Sequence, residues 1–594
     1  MQENYQKQLI KYAGFLEEAN QRSGWFSAGR LLSLLAVVAG IYIFFSLGNI
    51  YGIWAAILFL TFFLVLIVRH TNLKKQKQRY NRLISLNQKE VKFLEGEVVD
   101  WENGERFRDA QHLYSSDLDI FGSHSLFYHI NRAATRSGEE RLAQTLSAPG
   151  PSQSIGPRQE AIKELVPLLD WRQNFIAAGL EEEEDPQLQN KLKLWLKGSK
   201  PSAARVLLHP ATRFILAIIA IGLGLHFVFY PNPQHFEWWM YGMGLNIALV
   251  FSQFRHIKKE YNQLNGITRS LRIYAELIAS VERQAFGAAY LQNIAGQLST
   301  RGQTASKALY RLGRILDGFD QMNNVVALIL TNGLYLYHLH VLNELYRWKK
   351  EHGGQIIQWL SAVTEMDELV SLSNYAANNP DFTYPEVADA PKLEAEGIAH
   401  PLIAPQKRVA NSLSTDGYKY MILTGSNMSG KSTFLKTIGI NLVLMRAGAP
   451  VCSLRFKSYP FTLLTSMKLV DSLEREESYF QAEVLRLKRI KQELEGEAVK
   501  MVLLDEILRG TNSDDKRNGT RLFMQKIGSF EARGIIATHD IDIADLAKQE
   551  PGIFKDYYFE SQVKDGELTF DYLLREGICT TPNATELMRS HGVI

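Results

Sequence analysis

From Leu31 to Val68 the sequence holds no charged residue, and an uncharged run of that length constrains the fold more than any other feature. It divides at Ser46-Leu47-Gly48-Asn49 into two apolar halves, each near the ~20 residues a helix needs to cross a bilayer's hydrocarbon. The pattern predicts a membrane hairpin over 31–69. Arg30 precedes it, and Arg69, Lys74, Lys75, Lys77 and Arg79 follow, so the bias of basic residues toward the inner side puts both ends in the cytoplasm and the Gly-Asn turn outside. A cleaved leader fits poorly, because the apolar block is too long, begins too late and is doubled. The competing reading, a buried core hairpin, would require a charge-free core segment of unusual length.

A second apolar pair, Phe214–Tyr230 and Trp238–Phe254, flanks Pro231-Asn232-Pro233-Gln234-His235-Phe236-Glu237. Arg205 and Arg213 stand before it and Arg255, Lys258 and Lys259 after it, so again both ends point inward. His226 and Asn246 interrupt this pair and Glu237 sits at its turn, whereas Trp238, Trp239 and Tyr241 suit a membrane interface. Four spans are expected, with two as the fallback, giving a multi-pass protein of the cytoplasmic (inner) membrane. His226 reads as a packed or interfacial side chain, since these spans offer it no acidic partner.

The remaining sequence is too long for one core, and 594 residues imply several domains. A net charge of +3 gives no global basic signature for nucleic acid. The two cysteines, Cys452 and Cys579, have neither disulfide-scaffold nor zinc-ligand spacing. Ser125–Thr145, Gln159–Ala178, Glu260–Ala285 and Val325–Leu345 repeat apolar residues at helical spacing, while Glu181-Glu182-Glu183-Glu184-Asp185 reads as a solvated face or linker. Pro380, Pro385 and Pro391 end the helical pattern, and the boundary is set near Asn379. The expected organisation is an N-terminal cytoplasmic helix (1–30), the first hairpin (31–69) and a basic connecting helix (70–110). A helical core (111–212), the second hairpin (213–254), the rest of the helical core with its levers (255–379) and a C-terminal α/β domain (380–594) complete it.

In that last region the chemistry is legible. Tyr420-Met421-Ile422-Leu423 forms an apolar strand, followed by Gly425-Ser426-Asn427-Met428-Ser429-Gly430-Lys431-Ser432-Thr433 and a helical run Phe434–Met445. The spacing G-x-x-x-x-G-K-S lets successive backbone N–H groups wrap a phosphate at a helix's positive end. Lys431 would neutralise the terminal phosphates of ATP, and Ser432 would offer its hydroxyl to Mg²⁺. A second strand, Met501-Val502-Leu503-Leu504, ends in Asp505-Glu506; Asp505 is suited to hold Mg²⁺ and Glu506 to polarise the attacking water. A third, Gly534-Ile535-Ile536-Ala537, leads into Thr538-His539-Asp540, where His539 could sense the γ-phosphate. The fold class is therefore helical membrane hairpins, a helical core, and a P-loop α/β domain.

These segments resemble the MutS family of DNA mismatch repair ATPases. The run Thr424–Thr433, with Asn427-Met428 inside the loop, is similar to that family's phosphate loop. His400-Pro401, Val409-Ala410-Asn411, Asp471-Ser472-Leu473, Ser478-Tyr479-Phe480-Gln481-Ala482-Glu483, Asp505–Thr511 and Ala537-Thr538-His539 continue the likeness, and the tail from Tyr572 through Gly577 to Gly592 is similar to its helical cap. Ser125-Leu126-Phe127, Asn131-Arg132, Thr135, Gly138, Arg141-Leu142 and Arg158-Gln159 resemble the start of the family's helical core. The resemblance implies an ABC-ATPase-like domain and a homodimer with two composite ATP sites, with Ser478 facing the γ-phosphate across the interface. It also implies DNA as a ligand.

The departures are specific. The first 110 residues leave no room for the domain that reads mismatches through a Phe-x-Glu wedge; Phe15-Leu16-Glu17 and Phe93-Leu94-Glu95 match its letters in a helical context. Glu474, Arg475, Glu476 and Glu477 make the stretch before Ser478 unusually acidic. Two readings follow: a membrane-tethered, DNA-binding MutS-like ATPase, or a membrane ATPase that has lost DNA and drives its own spans. Lys74–Arg82 and Arg255–Lys259 could meet DNA phosphates, although orientation and anionic lipid also call for basic flanks. ABC-type transport fits least, because no Leu-Ser-Gly-Gly-Gln type signature precedes Asp505 and the spans carry few polar residues.

Overall fold

The computed structural model describes the chain except residues 149, 182–183, 199–208, 265, 301–302, 321–324, 468–478, 510–511, 565–566 and 579–594. The chain opens with two long antiparallel helices, α1 (Gln2–Leu47) and α2 (Tyr51–Leu94). The expected N-terminal helix and first span are one helix, and the second span runs unbroken into the basic segment; no proline interrupts residues 2–94. Residues 97–104, expected within a connecting helix, are irregular. Gly48, with φ 63°, ends α1, and Asn49 Oδ1 accepts from the Tyr51 N–H at 2.9 Å to start α2. The arms meet closely at Gly40 and Gly52: a Cβ on Gly40 would lie 2.7 Å from the Gly52 carbonyl oxygen. Small residues at that crossing let the two backbones touch.

The helical core follows as α3 (Leu126–Ile130), α4 (Arg136–Ser147), α5 (Ile155–Leu165), α6 (Leu169–Gly179) and α7 (Leu188–Lys197). Next come α8 (Pro210–Phe229), α9 (Pro233–Ser252), α10 (Phe254–Leu264), α11 (Thr268–Arg283) and α12 (Ala289–Gln297). A two-strand pair, β1 (Ser299–Thr300) and β2 (Gln303–Thr304), precedes α13 (Ala305–Asp320), α14 (Val325–Tyr335), α15 (Tyr337–His352) and the central, almost wholly buried α16 (Ile356–Asn378).

Each of the four long amphipathic helices expected from periodicity is broken, and each break has a cause. Ser125–Thr145 opens at 131–135, where Asp367 of α16 accepts from the Ala134 N–H (2.8 Å), the Thr135 N–H (2.9 Å) and the Thr135 hydroxyl (2.8 Å). Thr135 in turn caps α4 by accepting from the Gly138 N–H. Gln159–Ala178 parts around Pro167, Glu260–Ala285 around Gly266 at φ 84°, and Val325–Leu345 at Leu336, a leucine at φ 47°.

By length and composition α1, α2 and α8 could cross a membrane, or four elements could if the bent pair α14–α15 counts as one span. α9, which covers most of the fourth expected span, falls outside that set; its N-terminal end is polar, with Gln234, His235 and Glu237.

The base of α1 and α2 is bound to α16 through buried polar groups. Tyr5 donates to Asn378 Oδ1 at 2.9 Å, while Glu90 accepts from Asn374 (2.8 Å) and Asn378 (3.1 Å) and pairs with Arg132. The Arg132 guanidinium carbon lies over the Trp101 ring, 3.2 Å from its centroid. A buried carboxylate so fully partnered avoids the cost of an unpaired charge.

The C-terminal part comprises β3 (Glu386–Val387), β4 (Leu393–Ile398), β5 (Asn411–Ser414), β6 (Tyr420–Thr424), α17 (Lys431–Ala447), β7 (Arg455–Ser458) and β8 (Thr462–Ser466). It continues with α18 (Tyr479–Leu494), β9 (Lys500–Asp505), α19 (Ser513–Gly528), β10 (Ala532–Thr538), α20 (Asp545–Gln549), β11 (Phe554–Lys564) and β12 (Glu567–Glu576). Its main sheet runs β12-β11-β6-β10-β9-β8, parallel except for β12, and a smaller sheet runs β3-β7-β4-β5. Tyr572, expected to lead into a helical cap, lies in strand β12, and most of that tail is outside the described residues. Arg158 of α5 joins the two parts: it pairs with Glu368 of α16 and donates through Nε to the Ala447 carbonyl at 3.0 Å, at the end of α17.

Candidate nucleotide-binding site

Strand register assembles the site. Thr538 of β10 pairs with Thr424 of β6, and Ala537 pairs with Asp505 of β9, so three neighbouring parallel strands end at one level. In such sheets ligands bind beyond the carboxyl ends of the strands. From β6 the chain enters Gly425–Gly430 and then α17, whose first residue is Lys431. Two glycines are required here: a Cβ on Gly425 would lie 2.7 Å from Ser429 Oγ, and Gly430 has φ 101° and abuts the Tyr572 ring. Met428 at φ 68° adopts the same left-handed backbone without a glycine's freedom and is exposed.

The polar groups converge on the loop. Lys431 Nζ donates to the Gly425 carbonyl (2.7 Å) and the Ser426 carbonyl (3.0 Å) and lies 3.7 Å from Glu506 Oε1. Burial lowers the lysine's pKa, and the neighbouring Glu506 and Asp505 oppose that shift. Ser432 Oγ donates to Asp505 Oδ2 at 2.6 Å. Burial raises the Asp505 pKa against the hydrogen bond from Ser432 and the charge of Arg509. Glu506, at φ 50°, has its N–H on the Ala537 carbonyl, and its Oε1 stands 3.5 Å from His539 Nδ1. Lys431, Ser432, Asp505, Glu506 and His539 are thus brought together with the loop Gly425–Thr433. Ser478, with Asp471–Leu473 and 474–477, lies outside the described residues.

Several residues of this neighbourhood carry no role in the motifs. Arg509 spans both carboxylates, 3.5 Å from Asp505 Oδ2 and 3.7 Å from Glu506 Oε2. Glu483 of α18, buried, accepts from the Leu508 N–H (2.6 Å) and the Arg509 N–H (2.9 Å), holding the turn that follows Glu506. Burial raises the Glu483 pKa against those two bonds. The loop opens into a cavity of about 550 Å³ whose lining also includes His400, Ile403, Val409, Phe559 and Tyr572. Such a lining can receive a flat aromatic base while the loop takes phosphates. His400 and Tyr572 stand in segments singled out for family resemblance, whereas Phe559 carries no sequence signal.

The residues fit a Mg²⁺–nucleotide. Ser429 Oγ is buried without a hydrogen-bond partner, inside a loop too tight for a Cβ at Gly425, and hydroxyl with carboxylate, as at Ser432 and Asp505, is a hard-oxygen donor set suited to Mg²⁺. No cluster of three or more His, Cys, Asp or Glu residues suited to a metal occurs among the described residues.

The sequence profile of MutS domain V matches residues 421–591, which include the loop, both carboxylates and His539. Residues 421–591 thus carry a domain similar to MutS domain V. MutS protein homolog 4 of Homo sapiens is 26% identical over 260 residues, 42% of this chain and 27% of that protein. The DNA mismatch repair protein MutS of Carboxydothermus hydrogenoformans is 26% identical over 249 residues, 41% of this chain and 29% of that protein. That of Natronomonas pharaonis is 29% identical over 240 residues, 39% of this chain and 27% of that protein. The match thus spans less than a third of the length of these MutS relatives.

Proposed function

We propose that the chain is a membrane-tethered MutS-family ATPase that hydrolyses ATP with Mg²⁺, works as a homodimer with composite sites, and binds DNA in an ATP-dependent way. The observation that carries the ATPase reading is the Ser432–Asp505 hydrogen bond beside Lys431 and Glu506, at the aligned ends of β6, β9 and β10. Ser432 and Asp505 would hold Mg²⁺, which supplies charge neutralisation to the phosphates. Lys431 binds the terminal phosphates in place of the two loop carbonyls it now meets, and Glu506 accepts a proton from the attacking water. Arg509 and Glu483 fix the direction of the two carboxylates. His539, beside Glu506, responds to the phosphate end of the nucleotide.

The membrane part of the reading rests on the apolar, largely exposed helices α1, α2 and α8. The DNA part rests on the likeness of residues 421–591 to MutS domain V and on what the relatives' names state. A second reading, in which the ATPase has given up DNA and acts on its own spans, is favoured by the buried route from Glu90 in α2 through α16 to Arg158 and the end of α17. Steady-state ATP turnover of the lipid-reconstituted protein, with and without duplex, mismatched and branched DNA across a salt series, separates the two. Stimulation or inhibition that fades with salt supports DNA binding; turnover indifferent to DNA but sensitive to lipid supports the second reading. Absence of turnover that Glu506→Gln abolishes would refute both. Lys431→Ala should weaken ATP binding itself, and unchanged affinity would refute the phosphate-loop assignment.

A further inference from the structure

Between α14 and α15 the chain turns by 79° at Leu336. A helix break frees backbone groups that a continuous helix would pair within itself. Here the Gly333 carbonyl accepts from Asn246 Nδ2 of α9 at 2.7 Å, and the His338 N–H donates to Asn332 Oδ1 at 3.0 Å. Asn332 Nδ2 also donates to the Leu328 carbonyl, at 2.7 Å. Asn246 and Asn332 are 1% and 2% exposed. Met243 of α9 closes on Gly333, where a Cβ would come 2.7 Å from its terminal methyl, so α14 is seated firmly on the second hairpin. The opposite face is bare: Val325, Val326, Ile329 and Leu330 are 45% to 66% exposed, and Val325–Tyr335 contains no charged residue. Ile215, Ile218 and Ile219 of α8 and Leu245 and Phe251 of α9 are also exposed, so the hairpin beneath α14 shows the same bare apolar character.

We propose that α14 is a lipid-embedded half-helix that enters the acyl region beside α8 and α9 and returns the chain to the helical core at Leu336. The inference rests on the membrane reading above. Eleven residues rise about 16 Å, roughly half of the ~30 Å hydrocarbon layer, so α14 dips in without crossing. Lipid is the occupant because the exposed face formed by Val325, Val326, Ile329 and Leu330 is aliphatic and adjoins the apolar hairpin, while asparagine side chains meet the Gly333 carbonyl and the His338 N–H at the break. A broken helix at membrane depth requires that arrangement. Below the bend α15 joins the core: the Gly318 position on α13 faces Tyr337 and Val341. Motion of the core is therefore transmitted to the bilayer beside the second hairpin as well as through α1 and α2.

The test is site-directed spin labelling of the full chain in liposomes, in a background with Cys452→Ala and Cys579→Ala. Val326→Cys and Leu330→Cys are compared with Ile218→Cys on α8 and Lys350→Cys on α15, with Val325→Cys and Ile329→Cys as a second pair should either of the first reduce ATP turnover. Labels on α14 should collide with oxygen several-fold more, and with a water-soluble nickel chelate several-fold less, than the label at 350, matching the label at 218. Nickel access on α14 equal to that at 350, with 218 still in lipid, overturns the half-helix and leaves the membrane reading standing. Nickel access at 218 as well overturns both. Shielding of α14 from both reagents means that protein covers this face, which also overturns the proposal.

Discussion

The phosphate loop and the α14–α15 break both use a non-glycine residue in the left-handed backbone region, Met428 in one and Leu336 in the other, yet they treat their polar groups differently. At the loop a buried hydroxyl, Ser429 Oγ, is left without a partner, and Lys431 donates to two carbonyls of the loop that should bind phosphate, beside Glu506 at 3.7 Å. At the break, the Gly333 carbonyl and the His338 N–H are each met by an asparagine. Unspent hydrogen-bonding capacity marks a surface prepared for a polar ligand. Backbone groups met within the protein, as at the break, suit a surface prepared for lipid, which offers none, even though the Nε2 atoms of His338 and His340 are buried there without a partner.

The largest effect should come from the site whose groups are held for a ligand. Glu506→Gln keeps the shape of the carboxylate but cannot take a proton, so turnover should fall ~10²-fold or more while ATP affinity, measured by equilibrium binding, stays near that of the parent. Undiminished turnover would remove Glu506 from the chemistry and with it half of the contrast. At the break the expected loss is in stability. Asn246→Leu leaves the Gly333 carbonyl unpaired, at a cost of about 1–3 kcal/mol. Thermal unfolding in lipid should show a lower midpoint with ATP turnover per folded molecule retained. An unchanged midpoint would mean that water already reaches that carbonyl, and the two regions would then follow the same rule.

A smaller effect tests the helix that connects them. Asp367 is buried, and burial raises its pKa to about 7 despite hydrogen bonds from Ala134 and Thr135. The folded protein therefore binds a proton that the unfolded chain releases near 3.8. The stability this contributes is full below that value and is lost as pH rises through about 7. Between pH 5 and 8, roughly the window around that pKa, Asp367→Asn should make the fall in melting temperature shallower. An equally steep fall would assign the dependence to other groups.

What could be read from the sequence divides along the same line. The loop, its strand and helix, and the Asp505-Glu506 pair were legible because each lies within about ten residues of its own signal and strand register does the rest. Long-range partners were not legible. Asp367 opens the predicted helix Ser125–Thr145 from more than 200 positions away, since its bond to Ala134 spans 233 residues, and no periodicity carries that information. Asn246 counted only as a blemish in a span, because its acceptor, Gly333, lies 87 residues on. α14 is absorbed into an amphipathic helix because a helix of eleven residues is too short to register as a span. The wall of Phe559 and Tyr572 depends on β11 and β12 folding back over the loop, which hydropathy cannot foresee.

The smallest expected effect divides the two regions most sharply. Ser429→Ala removes a buried hydroxyl that has no partner, so it abolishes a desolvation cost and breaks no hydrogen bond. The melting temperature without nucleotide should be unchanged or slightly higher, whereas the corresponding loss at Asn246 lowers it. ATP affinity should fall by a few-fold, since a neutral hydrogen bond contributes about 0.5–1.5 kcal/mol. A variant that is destabilised without nucleotide, with ATP affinity intact, would mean that Ser429 serves the fold as Asn246 does. The loop would then hold no hydrogen-bonding capacity in reserve, and the distinction between a surface built for phosphate and one built for lipid would have to rest on Lys431 alone.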